Sequence, residues 1–295
     1  MTRPFVALIL VSLSQTAFAA EATPPPPTPA TETEPGRGGT VSLAYDHNPG
    51  NLSSVSFGGD VGVSKTLGIL ANYKADELPA NYAKRDVGSF GVGLDNEFTR
   101  AFTAGFGLEY ATLPDSVSSK GFNLGGHLRF GQWRFGLLLR SLRYTSDRAT
   151  VGKKLRDKGI PEQSAGADVA YRFAEDWKVR VGYTGYSYGN ASPAELSDVL
   201  ATRGNTAAGL ISAVEGFPSA SANVGLLYSP TDHIDLDLNF ARTKYKLATD
   251  STTATFSVND QFTPSWGAGP SVAGLWQAGQ PNGAIIGLQG SYTWE

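Results

Sequence analysis

The residues of this chain able to do acid–base, metal or nucleophile chemistry are few and scattered. There are three histidines, His47, His127 and His233, and no cysteine. None of the histidines has a second histidine at metal-ligand spacing, so no metal site, thiol chemistry or cofactor is expected. One acid–base pair has to be weighed: His127 with Glu109, expected on adjoining strands. No serine shares the face of His127, and the expectation is a protein without catalytic activity. The stretch "GGDVGVSKT" (58–66) has Ser64 where a phosphate-binding loop needs glycine before its lysine, and it alternates like a strand, which removes that reading too.

What the chain does carry is charge ordered by position. Arg129, Arg134, Arg140, Arg172, Lys178 and Arg180 fall in one central stretch, while Asp60, Asp95 and Glu109 precede it and Asp235 and Asp237 follow it. Asp168 is the exception inside the basic stretch. The segment "YRFAEDWKVRVGY" (171–183) shows how such charges are positioned. Tyr171 and Phe173 alternate with Arg172, then Trp177, Val179, Val181 and Tyr183 alternate with Lys178, Arg180 and Gly182. That is a hairpin with one apolar and one charged face. The formal charge of −3 leaves no broad basic surface, so no nucleic-acid partner is expected.

The same period of two recurs along the chain. It places strands over 40–46, 55–64, 67–74, 87–95, 102–110, 122–130, 133–144, 165–173, 177–186, 220–228, 234–245 and 286–294. These twelve strands alternate short connections with longer ones. The polar face is rich in glycine and charge (Gly58, Asp60, Gly91, Gly93, Asp95, Gly105, Gly107, Glu109, His127, Arg129), and the other carries Phe57, Val61, Phe90, Leu94, Phe106, Leu108, Phe122 and Leu128. A soluble exterior built so heavily of glycine would be unusual, whereas small and charged residues suit a lumen. The fold class expected is therefore all-β, an antiparallel transmembrane barrel with its apolar face outward. Phe98, Phe102, Phe130, Trp133, Phe173, Trp177, Tyr228 and Trp294 lie beside short turns, and Tyr45, Tyr73, Tyr110 and Tyr144 near the other end, as two interfacial girdles would.

Outside the barrel, residues 1–19 read as a cleaved secretory signal: one basic residue, Arg3, an apolar run from Phe5 to Leu13, and Ala17-Phe18-Ala19. Residues 20–39, with "PPPP" among threonines and glutamates, read as an extended spacer. The barrel is expected over 40–295. Within it, 189–218 is expected to be a long loop with two short helices, the first capped by Ser192 with Pro193 and Glu195. The stretch 247–284, with Trp266 and Trp276, is either another loop or a further hairpin, which would make fourteen strands.

The hairpin "YRFAEDWKVRVGY", the turn "YSPTDHIDLDLNF" and the last strand "IGLQGSYTWE" resemble the Gram-negative outer-membrane, porin-like barrel class. The resemblance implies outer-membrane residence, periplasmic short turns, contact with outer-membrane lipid, and a terminal strand read by the barrel-insertion machinery through Tyr292 and Trp294. Glu295 departs from the usual aromatic end. The function expected is passive or weakly selective passage of small polar solutes, with a basic lumen wall set opposite an acidic one. A hydrophobic-ligand transporter with a helical lid, or a structural or enzymatic barrel, is the alternative. Oligomeric state is left open.

Overall fold

The computed structural model describes residues 38–48, 52–77, 87–113, 117–146, 159–189, 191, 217–246, 249–278 and 283–294. They form fourteen strands: β1 (Gly39–Asn48), β2 (Leu52–Gly62), β3 (Leu67–Glu77), β4 (Val87–Thr99), β5 (Phe102–Leu113), β6 (Val117–Phe130), β7 (Trp133–Ser146), β8 (Ile160–Arg172), β9 (Trp177–Ser187), β10 (Pro218–Thr231), β11 (Ile234–Tyr245), β12 (Ser251–Asp260), β13 (Trp266–Gln277) and β14 (Gly283–Trp294). Each pairs antiparallel with its chain neighbours, and β1 pairs with β14 from Gly39↔Trp294 to His47↔Ile286, so the sheet closes on itself. No helix among the described residues is long and apolar enough to cross a membrane. The signal, the spacer up to residue 37 and the helices expected over 192–216 lie outside the described residues.

The estimate of twelve strands is corrected to fourteen by β12 and β13. Both were hard to read because their two faces differ little: "STTATFSVND" puts threonine on both sides, with serine on one and alanine on the other, and "WGAGPSVAGLWQ" has Pro270 in mid-strand. Proline has no N–H to give a ladder. The β12–β13 pairing indeed skips from Ser257↔Ser271 to Asp260↔Ala268, across Pro270. Two expected long connections, after Asp46 and Tyr110, also shrink to 49–51 and 114–116 because the strands run on past the point where alternation fades.

Register shows the stagger that closure demands. A row of direct partners starts at Gly39, the first residue of β1, and runs through Val61, Ile69, Leu94, Phe106, Leu124, Leu139, Ala165, Gly185 and Ala220. It ends at Lys244, one residue from the end of β11. The row thus climbs from the short-turn rim to the loop rim, as strands tilted by about 35–45° require. Its large members, Val61, Ile69, Leu94, Phe106, Leu124 and Leu139, are exposed. The exposed face is therefore the apolar one, and the polar face points into the ring.

Aromatic rings belt the short-turn end: Phe98 stacks on Phe102 (centroids 5.6 Å apart), Trp133 on Tyr171 (4.3 Å), Trp177 on Tyr228 (4.2 Å), and Trp266 lies 4.7 Å from Tyr292. At the loop end Tyr45, Tyr73 and Tyr110 are exposed as expected. Tyr144 is not; it shares the phase of Arg140 and Leu142, is buried, and belongs to the lumen. The short turns repeat one local device. A hydroxyl accepts from backbone N–H groups at Ser64 (from Thr66 and Leu67), Thr99 (from Ala101 and Phe102), Thr231 (from Ile234) and Thr263 (from Trp266), closing each turn without help from the partner strand. Gly131, at φ 58°, supplies the left-handed residue that the two-residue β6–β7 turn requires.

Candidate functional site: the charged lumen wall

All of the lumen charges expected from sequence lie on strands that the ring brings together, but not at one height. Arg129, Arg134, Arg172 and Lys178 each lie within one residue of a short turn. Arg129 faces Arg134 directly across β6–β7, and Arg172 faces Lys178 across β8–β9. The basic stretch is thus a crescent at the short-turn mouth. Asp60 and Asp95 come down to the same half from β2 and β4, and Asp235 from β11, where the Ser229 hydroxyl donates to it. In a ring of fourteen the strands across from β7 and β8 are β14 and β1. The described acids therefore mostly flank the basic crescent, whereas the inward positions of β14 are Ile285, Gly287, Gln289, Ser291 and Thr293.

The remaining charges are tied to one another across the seams. On the loop side of mid-barrel, Arg140 of β7 donates through Nε (2.8 Å) and Nη2 (2.6 Å) to Glu109 Oε2 of β5, reaching over β6. Asn123 of β6 donates to the other oxygen of Glu109. Arg140 Nη1 lies 3.7 Å from Glu162 Oε1 of β8, and the Tyr144 hydroxyl donates to Glu162 Oε2 at 2.8 Å. The side chains are 14% (Arg140), 21% (Glu109) and 5% (Glu162) exposed. One guanidinium therefore holds two carboxylates and carries one positive charge too few to neutralise both. Glu162 lies before the strand expected over 165–173 and Tyr144 was expected in the girdle, yet the phase of Ser164, Gly166, Asp168 and Ala170 leads straight to Glu162.

The second tie joins Arg180 Nη2 of β9 to Asp237 Oδ2 of β11 at 2.8 Å, over β10. Gly225 makes the crossing possible: a Cβ there would lie 2.6 Å from Arg180 Nε and 2.9 Å from its Cγ. The same arrangement recurs. A Cβ on Gly136 would meet the carboxylate of Asp168, one on Gly107 the amide of Asn123, and one on Gly182 the amide of Asn223, each the direct cross-strand partner. Polar side chains thus lie flat over facing glycines, which keeps the middle of the lumen open. Gly225→Val should leave the barrel folded, because what it displaces is a flexible side chain, but should part Arg180 from Asp237 and push it inward. The expected outcome is a lower single-channel conductance than wild type, measured on refolded protein.

His127 and Glu109 are not a pair. His127 lies opposite Thr103, whereas Glu109 lies opposite Gly121, six residues further along β6, or about 20 Å at the rise of a strand. Among the described residues no group of three His, Asp or Glu side chains could hold a metal ion. What the wall encloses is a cavity of about 690 Å³ against β1 to β7, touched by Asp46, Asp60, Lys74, Asp95, Glu97, Glu109, Arg129, Arg134 and Arg140, and by Ser271 and Gln289 from the far side.

No family model matches the chain, and no curated protein matches its sequence. Among solved structures it is similar to the KdgM porin (TM-score 0.46, 6% identity, covering 87% of this chain and 99% of that one). It is also similar to Pseudomonas aeruginosa OccK5 (OpdH) (0.45, 12% identity, 88% and 97%) and to an OccD1 (OprD) variant (0.44, 10% identity, 87% and 95%).

Proposed function

We propose that the protein is an outer-membrane channel that passes small polar solutes through its charged lumen, passively or with weak selectivity. The observation that carries this reading is the inversion of the barrel: a closed ring, apolar outside and lined inside by glycine, serine, asparagine and paired charges around a cavity of about 690 Å³. A ring of fourteen falls between barrels of about eight strands, which side chains fill, and those of sixteen, which hold an aqueous channel. Here the glycines opposite Asp168, Asn123 and Asn223 tip the balance towards open space.

The signal-like leader over 1–19 and the tilted, aromatic-belted exterior support export and membrane residence, with the short turns periplasmic. The basic crescent of Arg129, Arg134, Arg172 and Lys178 is read as the part of the wall that meets solutes, and the Arg140 and Arg180 ion pairs as struts that hold its neighbours in place. The inward apolar residues at the loop end favour no hydrophobic-ligand reading. Among the described residues there, Tyr188 and Phe217 meet edge to face at 5.1 Å, and with Ile160 they are buried against one another rather than offered to a guest. Swelling of vesicles containing the refolded protein tests the proposal. Small sugars and amino acids should enter at rates falling with solute size, and swelling no faster than in protein-free vesicles would contradict it.

A further inference from the structure

The outer face of the barrel is apolar along most of its height, and near the loop end two like charges break that rule as direct partners in the ladder. Lys120 on β6 and Arg143 on β7 are direct partners in the ladder, and both are exposed. Both are in the outward phase, since Lys120 also faces the exposed Tyr110 on β5, and Phe122 and Leu139 lie on the same face just below. Like charges placed directly opposite, with Cβ atoms about 4.5–5.5 Å apart, destabilise a sheet unless something neutralises them. The arginine couples inside the ring face the lumen; this one faces the surroundings of the barrel. Neither cation makes an ion pair or hydrogen bond among the described residues. The neighbouring outward residues at that end, Thr112, Ser141, Thr145, Pro161 and Gln163, include no acid.

Height and bracing identify what would meet the couple. Lys120 is ten residues above Phe130 at the short turn, which on a strand tilted by about 35–45° is about 25 Å, the height of the apolar band of such a barrel. The couple therefore sits where acyl chains give way to headgroups. The stem of Arg143 is braced: Gly159, at φ 71°, lies so close that a Cβ on it would be 2.8 Å from Arg143 Cγ and 3.1 Å from Cδ. A guanidinium fork beside an ammonium suits a phosphate, which offers several oxygens to both at once.

We propose that Lys120 and Arg143 form a headgroup site for a phosphate-bearing lipid of the leaflet at the loop end, its acyl chains lying over Phe122, Leu124 and Leu139. The site rests on the reading of the barrel as a membrane-spanning protein and adds to it a specific lipid contact. The test is native mass spectrometry of the full protein in detergent micelles doped with phosphatidic acid, or with diacylglycerol of the same chains, which lacks only the phosphate. Wild type should retain phosphatidic acid over diacylglycerol. Lys120→Gln/Arg143→Gln, checked as a folded barrel by circular dichroism, should retain it about thirtyfold less, or about fivefold per cation. Equal retention of the two lipids, or undiminished retention by the double variant, would overturn the site. Displacement of phosphatidic acid by equimolar inorganic phosphate would also overturn it, in favour of a free-anion site. Failure of the protein to insert into vesicles would instead bring down the membrane reading, a result that the micelle measurement does not share.

Discussion

Arg140→Gln should lower the stability of the folded barrel by about 3 kcal/mol, the lower end of the cost of breaking a buried ion pair by removing one partner. The cost arises because Glu109 and Glu162 keep their charges and lose the cation between them; Glu162, at 5% exposure, has little water to turn to. Asn123 and Tyr144 would still donate to the two carboxylates, so the cluster would be weakened rather than emptied. The neutral triple Glu109→Gln/Arg140→Gln/Glu162→Gln should recover most of the loss, since no uncompensated charge remains and amides can still bond with Asn123 and Tyr144. Urea unfolding midpoints of refolded protein in detergent measure both. An unchanged midpoint for Arg140→Gln, or a triple variant no better than the single, would mean that the cluster is not a structural strut.

Reversing the basic crescent should change which ions pass. Arg129, Arg172 and Lys178 lie at the short-turn mouth, and Arg129 and Arg172 are exposed. Arg180 is a poorer target because it holds Asp237, and its reversal would put two acids face to face. Wild type is expected to admit anions more readily on this side. Arg129→Glu/Arg172→Glu/Lys178→Glu should shift the cation-to-anion permeability ratio by on the order of tenfold towards cations, the scale on which focused fields change local ion concentrations. Reversal potentials under a salt gradient read this directly. The shift should shrink as salt rises, since screening shortens the reach of each charge from about 10 Å at 0.1 M to about 3 Å at 1 M. A ratio unchanged at low salt would place these three residues off the solute path.

Much of the barrel was legible from period two alone, because residues such as Phe57, Leu94, Phe106 and Leu124 contrast sharply with the glycines and charges between them. Contrast is also why β12 and β13 were harder: threonine and alanine on both faces give no phase, and Pro270 speaks against a central strand until the gap in the ladder beside it is seen. Tyr144 shows a different limit. An aromatic residue near a strand end fits an interfacial girdle, and only the phase carried up from Arg140 and Leu142 turns it inward. The ties between Arg140 and Glu109, and between Arg180 and Asp237, were beyond sequence reading altogether, since each crosses an intervening strand and depends on register and on what lies beneath it. How far the basic and acidic walls oppose one another is beyond sequence for a related reason: which strands face one another across a ring depends on how many strands the ring has.

Single-channel recording in planar bilayers is the measurement that tests the channel reading most directly. Refolded wild-type protein should give discrete, repeatable conductance steps, and Gly225→Val should give smaller steps at the same frequency of insertion. Protein that inserts as a folded barrel and yet passes no current at any applied potential would contradict the account, because an open, charge-lined lumen must carry ions.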